Sequence, residues 1–214
     1  MGYDLEFTTE LILTTPLYVS NVSDVVNEIA EYLNNESEKT LLLSGIADKE
    51  KHRSLLQALN SQGNLKGVVL LIHTTIEGIE HFFRWAELYE VRAPKKYRQA
   101  MHLSNLTIYF DKLLTTIPNH KFDSCAFDFM IIWPIQSVTK NEEELQQLGD
   151  FVNRQKTKKI ILLTIKEPWY DPEPMKRIVD RVIKLDCEED NPLEYRRVIS
   201  AYSDDIKVSK QRGF

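Results

Sequence analysis

The segment Gly45–His52, with the sequence GIADKEKH, carries the residue types of a loop that binds phosphate. Such a loop has glycine, four residues, then glycine, lysine and a hydroxyl residue, so that backbone amides and the lysine hold the phosphates. Gly45 and Lys51 fit the first glycine and the lysine, and they are the candidate nucleotide-binding residues. Glu50 replaces the second glycine, and its carboxylate would stand against the phosphates. We therefore prefer an ordinary strand-to-helix loop with a solvated, charged helix start.

A second segment could supply a metal ligand to such a site. The apolar run Phe129–Trp133 follows the polar Asp128, which is the profile of the strand that carries a magnesium-binding aspartate in phosphate-loop enzymes. The ligand position holds Trp133, which cannot replace a carboxylate, and His52 stands where the loop would place its magnesium-binding hydroxyl. We expect Trp133 to pack in a crevice. His73, which follows an earlier apolar run, is expected to be a structural hydrogen-bonding residue rather than a base.

The C-terminal segment offers two cations. Lys210 and Arg212 are two residues apart, so an extended backbone would place both on one side. From these residues alone a basic, solvated tail is preferred, and a pair of cations that acts on one side is the alternative.

Other chemistry is poorly supported. The histidines and cysteines lack the spacing of a zinc site, and no Gly-x-Ser-x-Gly nucleophile motif occurs. The two cysteines, Cys125 and Cys187, are too few for a disulfide framework, which favours a reducing, cytoplasmic compartment.

Composition narrows the class further. The chain has 214 residues, of which 27 are Lys or Arg and 32 are Asp or Glu, giving a formal charge of -5. That balance argues against tight, autonomous DNA binding. No apolar run approaches the ~20 residues of a membrane helix, and no signal peptide is recognisable at the start.

Two kinds of segment alternate along the chain and must position these residues. Short apolar runs without polar alternation are typical of strands buried on both faces of a parallel sheet. Segments with helical spacing of apolar residues lie between them, so the pattern predicts an α/β fold with a mostly parallel sheet flanked by helices. The predicted strands are Leu41–Ile46, Val68–His73, Phe129–Trp133, Ile160–Ile165 and the edge strand Arg181–Leu185. The predicted helices start near Ser23, His52, Thr75, Asn141 and Pro172. Arg197–Tyr202 and Asp205–Ser209 are predicted to form a C-terminal β-hairpin.

The order and spacing of several segments resemble the RecA-like ATPase fold, especially its KaiC and DnaB-helicase branch. The segments that carry the resemblance are Gly45–His52, Leu59–His73, Phe127–Gln136, Asn141–Ile165, Asp180–Leu185 and Lys210–Gly213. The resemblance spans roughly residues 40 to 214. It implies a single RecA-like domain over residues 1–214, in which residues 1–39 form an N-terminal extension with one helix.

The resemblance also implies a function. In this family a late Lys-x-Arg pair reaches the nucleotide of the neighbouring subunit, which is the role implied for Lys210 and Arg212. Thr74 and Thr75 stand about where the family carries its catalytic glutamate, and the magnesium ligands are replaced. We therefore expect a pseudo-ATPase that needs no cofactor and acts as a scaffold or regulatory subunit.

The expected setting is an assembly of the DNA replication, recombination or repair type. The expected partners are copies of the chain or a RecA-like ATPase, with DNA contacted only weakly or indirectly and no membrane. Two alternatives remain open. One is a nucleotide-binding ATPase that uses ATP with Mg on an atypical loop, and the other is a purely structural, self-assembling protein.

Overall fold

The computed structural model describes residues 8–9, 20–113, 127–139, 141–165, 173–185, 192–193 and 195–200. Its strands are β1 (Thr8–Thr9), β2 (Thr40–Ser44), β3 (Leu65–Leu71), β4 (Met101–Leu103), β5 (Leu106–Lys112), β6 (Phe129–Trp133), β7 (Lys159–Leu163) and β8 (Arg181–Lys184). Its α-helices are α1 (Ser20–Asn34), α2 (Asp48–Ser61), α3 (Ile79–Trp85) and α4 (Glu142–Arg154). Short 3-10 helices cover Ile76–Gly78, Ile135–Val138 and Glu173–Arg177.

The strands form one sheet in the order β1-β4-β5-β3-β6-β7-β2-β8. Each described pair is parallel except β4 with β5, which is antiparallel. The prediction of an α/β fold with a mostly parallel sheet flanked by helices is therefore confirmed. The inner strands β2, β6 and β7 are buried along their whole length, which explains their continuous apolar sequences.

The apolar side chains pack in two layers, one on each face of the sheet. Alternate strand residues point to opposite faces, so Leu41 and Leu43 join one layer and Leu42 joins the other. Helices α1, α2 and α3 cover the first face and α4 covers the second. No described helix has the length and apolar character needed to cross a membrane.

The order of the strands creates a switch point between β2 and β7. From β2 the chain enters α2 on the first face, whereas after β7 the described residues 173–179 pack on the second face before β8. Adjacent parallel strands whose connections leave to opposite faces open a crevice at their carboxyl ends, where ligands bind in such sheets. The carboxyl ends of β2 and β7 are therefore the expected location of a ligand site.

Most predicted elements are present with shifted ends. Helix α4 begins directly after Asn141, where a helix start was predicted, and the Asn141 side chain accepts a hydrogen bond of 2.9 Å from the backbone N–H of Glu144. The helix predicted near Thr75 is a short 3-10 helix followed by α3. The helix predicted near Pro172 is a 3-10 helix alone. The short strand β4 and the seven-residue β5 were not predicted.

The predicted C-terminal hairpin is wrong in the part that the structure describes. Residues 195–200 are helical, although Arg197–Tyr202 was expected to be a strand. Tyr195, Val198 and Ile199 have the i, i+3, i+4 spacing of a helix face, and Val198 is buried while Arg196 and Arg197 are exposed. Helical burial therefore overrides the β-propensity of Val198 and Ile199. The other predicted strand, Asp205–Ser209, lies outside the described residues.

Candidate functional site

Gly45 lies at the carboxyl end of β2 and is required there by the neighbouring edge strand. Its φ is +105°, and a Cβ at this position would collide with the backbone carbonyl of Leu185, directly after β8. The backbone N–H of Ala47 donates to the carbonyl of Leu185 at 3.2 Å, and that of Leu185 donates to the carbonyl of Ser44 at 2.9 Å. Because Gly45 has no side chain, the backbone directly after β8 can approach the end of β2 closely.

Lys51 lies in α2, and its side chain is fully buried below the switch point. Its Nζ donates to the carbonyl of Gly45 at 2.6 Å and to the carbonyl and Oγ1 of Thr164, both at 3.0 Å. Nζ also lies 3.0 Å from Oδ1 of Asp48. The structure therefore brings the predicted pair Gly45 and Lys51 into direct contact, with the ammonium surrounded by oxygens of the protein itself.

The prediction of a solvated helix start is wrong. Asp48, Lys51 and His52 of α2 are all buried, the last two completely. They lie at i, i+3 and i+4, and Leu55 and Leu59 continue the same face of the helix. That face packs against the sheet and α3, so the charged residues are drawn into the interior with the leucines.

His52 is a neutral residue in an aromatic environment. Its Nδ1–H donates to the carbonyl of Asp48 at 2.7 Å. The ring stands edge-on to Phe82, Trp85 and Trp133, with centroids 5.0, 5.1 and 6.0 Å away. Burial lowers the pKa of His52 to about 3, against a raising effect from the hydrogen bond, and the Lys51 charge lowers it further. The imidazole thus stays uncharged near neutral pH.

Trp133 ends β6 and is only 3% exposed, which confirms the prediction that it is a packing residue. Its indole also contacts Phe82 and Trp85, with ring centroids 5.4 and 5.7 Å away. His52 and Trp133 occupy the two positions at which a phosphate-loop site would hold its magnesium ligands. The fold brings these two positions together, and the rings of His52 and Trp133 contact each other there.

Other residues close the carboxyl edge between β6 and β7. The buried Gln136 donates from Nε2 to the carbonyl of Ile165 at 2.6 Å, and its Oε1 accepts from the N–H of Ile165 at 3.1 Å. Gln136, Thr164 and Asp48 were not predicted as site residues. Thr164 could have been found, because it is the first polar residue after a buried strand.

The remaining candidates do not enter this site. His73 is exposed and has a positive φ of 49°, while Thr74 Oγ1 donates to the carbonyl of Ile72 at 3.1 Å. Lys210 and Arg212 lie outside the described residues. Among the described residues, no group of three or more His, Cys, Asp or Glu is placed to hold a metal ion.

The arrangement at the switch point holds the ammonium group of Lys51 among oxygens of the protein and packs aromatic rings around His52. A scan against protein-family models and a search of curated proteins both gave no match to this chain. Its chemistry must therefore be inferred from the residues themselves.

Proposed function

We propose that the chain is a non-catalytic, RecA-like scaffold or regulatory domain, a pseudo-ATPase that works within an assembly. The observation that carries the proposal is the contact between His52 and Trp133, whose ring centroids are 6.0 Å apart. In phosphate-loop ATPases the equivalent hydroxyl and aspartate hold Mg²⁺ between them. Here neither side chain supplies an oxygen, and the two rings pack against Phe82 and Trp85.

The environment of Lys51 supports the same proposal. A phosphate-loop lysine must offer its ammonium to the β- and γ-phosphates. The Lys51 ammonium already has oxygens of Gly45, Thr164 and Asp48 within 3.0 Å. A nucleotide would have to displace these contacts and also enter a loop whose glycine packs against Leu185.

The RecA-like assignment and the setting come from the sequence resemblance. Support for the fold comes from the location of the Gly45 loop, which lies at a switch point of a mostly parallel sheet. By the resemblance, the partners are further copies or a RecA-like ATPase in a cytoplasmic DNA replication, recombination or repair assembly. Lys210 and Arg212 would then reach the nucleotide bound by the neighbouring subunit, where an added arginine raises phosphoryl-transfer rates by ~10³-fold or more.

The first test is nucleotide binding and hydrolysis by the purified full chain. We expect no ATP turnover above background and no saturable binding of ATP or ADP with Mg²⁺ at micromolar concentration. Turnover that follows the protein through purification and is lost in Lys51→Ala would contradict the proposal. A tagged chain recovered from cells should retain an ATPase, identified by mass spectrometry. In that complex Arg212→Ala should lower the partner's turnover without releasing the chain, and an unchanged rate would refute the role given to Arg212.

One observation favours a second candidate function, a nucleotide-binding ATPase with an atypical loop. Gly45 and Lys51 do meet at the switch point, where ligands of parallel sheets bind. This candidate requires Lys51 to leave its buried contacts when ATP with Mg²⁺ arrives. Micromolar nucleotide affinity that is lost in Lys51→Ala would establish it in place of the first.

A further inference from the structure

The long connection between α3 and β4, residues 86–100, carries an unusual concentration of positive charge. It contains no helix or strand. Connections of this length without secondary structure are uncommon in compact domains, and those that are packed in place often carry a function. Between Val91 and Lys112 the chain has five Lys or Arg and one Asp, although the whole chain has a formal charge of -5. We call residues 86–100 the basic loop.

The basic loop is held against the domain at both ends. At its start, Nη1 of Arg53 in α2 donates to Oε2 of Glu87 at 2.8 Å. At its end, the backbone N–H of Arg98 donates to the carbonyl of Phe110 at 2.8 Å, and the Arg98 guanidinium pairs with the buried Asp111. Glu87 and Arg98 have positive φ values of 63° and 67°, a conformation that costs energy in residues other than glycine. The contacts at both ends maintain that conformation, so the loop presents its side chains in a defined arrangement.

Between these ends, apolar side chains anchor the basic loop and cationic side chains face solvent. Val91 and Pro94 are buried, whereas Arg92, Lys95 and Lys96 are exposed. In the part of the chain that the structure describes, no carboxylate forms an ion pair with any of these three cations. The surface of the loop therefore offers three cations that lack a counter-charge within the described residues.

The charge of the rest of the chain favours a short acidic partner over a long polyanion. Because Val91–Lys112 is basic, the remainder of the chain is more acidic than the formal charge of -5 indicates. A long nucleic acid would extend past the basic loop and would be repelled by this remainder. A short acidic peptide segment can pair with the loop alone, since charges farther away than a Debye length of ~8–10 Å are largely screened.

We propose that the basic loop is a docking surface for a short segment of a partner protein that is rich in Asp and Glu. Carboxylates form charge-assisted hydrogen bonds with Arg and Lys, and pairs on an exposed surface weaken as the salt concentration rises. The loop lies beside β5, which is separated from β2 by three strands. The inference therefore goes beyond the proposed function and does not depend on whether a nucleotide binds at Gly45.

The test is binding of a labelled acidic peptide to the full chain, measured by fluorescence anisotropy. The probe is a short peptide of alternating glutamate and serine, and its control peptide has glutamine in place of glutamate. An oligothymidylate with the same number of negative charges tests a nucleic acid. The loop variant is Lys95→Ser with Lys96→Ser. Its matched control is Arg154→Ser with Lys156→Ser, which removes the same charge from exposed positions at and just after the end of α4.

We expect saturable binding of the glutamate peptide to wild type and roughly fivefold weaker binding to the loop variant, which corresponds to about 1 kcal/mol for two exposed ion pairs. The control variant has the same net charge as the loop variant but should bind as wild type does. Arg92→Ser is an independent loop variant and should also weaken binding. All variants should melt with wild type, because every replaced side chain is exposed.

Three results would overturn the inference. Equal losses of affinity in the loop and control variants would indicate an effect of net charge alone. A glutamate peptide that does not bind, or that binds no better than the glutamine peptide, would show that the loop does not recognise carboxylates. An oligothymidylate that binds more tightly than the glutamate peptide and loses affinity in the loop variant would assign the surface to nucleic acid instead.

Discussion

Acidification should destabilise this protein through His52. The ring is fully buried among aromatic side chains, and its pKa falls from 6.5 to about 3. Between these values the unfolded chain binds a proton that the folded chain does not, so stability decreases as the pH falls. The contribution of His52 to the stability of the folded chain is fully present above pH 6.5. It is lost progressively as the pH falls from 6.5 toward 3.

The size of the effect follows from the two pKa values. Each unit of difference corresponds to about 1.4 kcal/mol, and at pH 4.5 the unfolded histidine is almost fully protonated while the buried one is almost fully neutral. Wild type should therefore lose about 2.5 kcal/mol of unfolding free energy between pH 7.5 and 4.5 through this residue alone. In α2 the Lys51 charge opposes protonation of the ring, whereas the backbone carbonyl of Asp48, which accepts the Nδ1–H, favours it.

Urea unfolding at pH 7.5, 5.5 and 4.5 measures the effect when wild type is compared with His52→Phe. The phenyl ring suits the aromatic surroundings but cannot titrate, so carboxylates that titrate in both proteins cancel in the difference. The stability of wild type minus that of the variant should fall by about 2.5 kcal/mol over this range. His73→Gln, which changes an exposed histidine, is the matched control for the replacement of a histidine. A wild-type minus His52→Phe difference that stays constant with pH would show that His52 is not held neutral.

Two further predictions concern the same region. Trp133→Ala should cost ~3 kcal/mol or more, because the indole is 3% exposed and packs against three other rings, and thermal unfolding should show a decrease of roughly 6–12 °C. Tyr89→Ala, at a 59% exposed aromatic residue, is the control and should stay within about 0.5 kcal/mol of wild type; equal losses in the two variants would refute the packing role. Gly45→Ala should be more destabilising than Gly63→Ala, because both glycines have positive φ but only Gly45 would meet backbone atoms, those of Leu185. Strain alone accounts for about 1–2 kcal/mol at either position, so similar denaturation midpoints for the two variants would exclude the collision with Leu185.

The sequence predicts the central strands well because their apolar composition indicates that they are buried. Runs such as Phe129–Trp133 have apolar residues at consecutive positions, and only a strand covered on both faces buries them all. β5 was missed although Leu106, Ile108 and Phe110 alternate with half-buried Thr107 and Tyr109. That period-2 signal was available. β5 forms a hairpin with β4 instead of following a helix, so it lies outside the alternation of strands and helices on which the prediction was based.

The interior of the site was harder to predict, because polar residues there are buried by tertiary packing. In the sequence, Asp48, Lys51 and His52 belong to a charged stretch that is typical of a solvated helix start. Their burial becomes predictable only when the stripe of Leu55 and Leu59 is extended backward by whole turns, which places all three on the apolar face. The aromatic rings around His52 come from α3 and β6, and nothing local to α2 indicates them.

Two roles are possible for Lys51, and they predict different effects when the residue is replaced. A lysine kept for phosphate binding would lose nucleotide affinity when replaced, with little change in stability. A lysine kept for structure binds the carbonyls of Gly45 and Thr164 and so links the ends of β2 and β7, as it does here. Its replacement would leave Asp48 as a buried carboxylate without this partner, and loss of one member of a buried pair commonly costs about 3–5 kcal/mol. The presence of a lysine at this position is thus accounted for by the contacts of the folded chain, and it cannot by itself argue for a nucleotide.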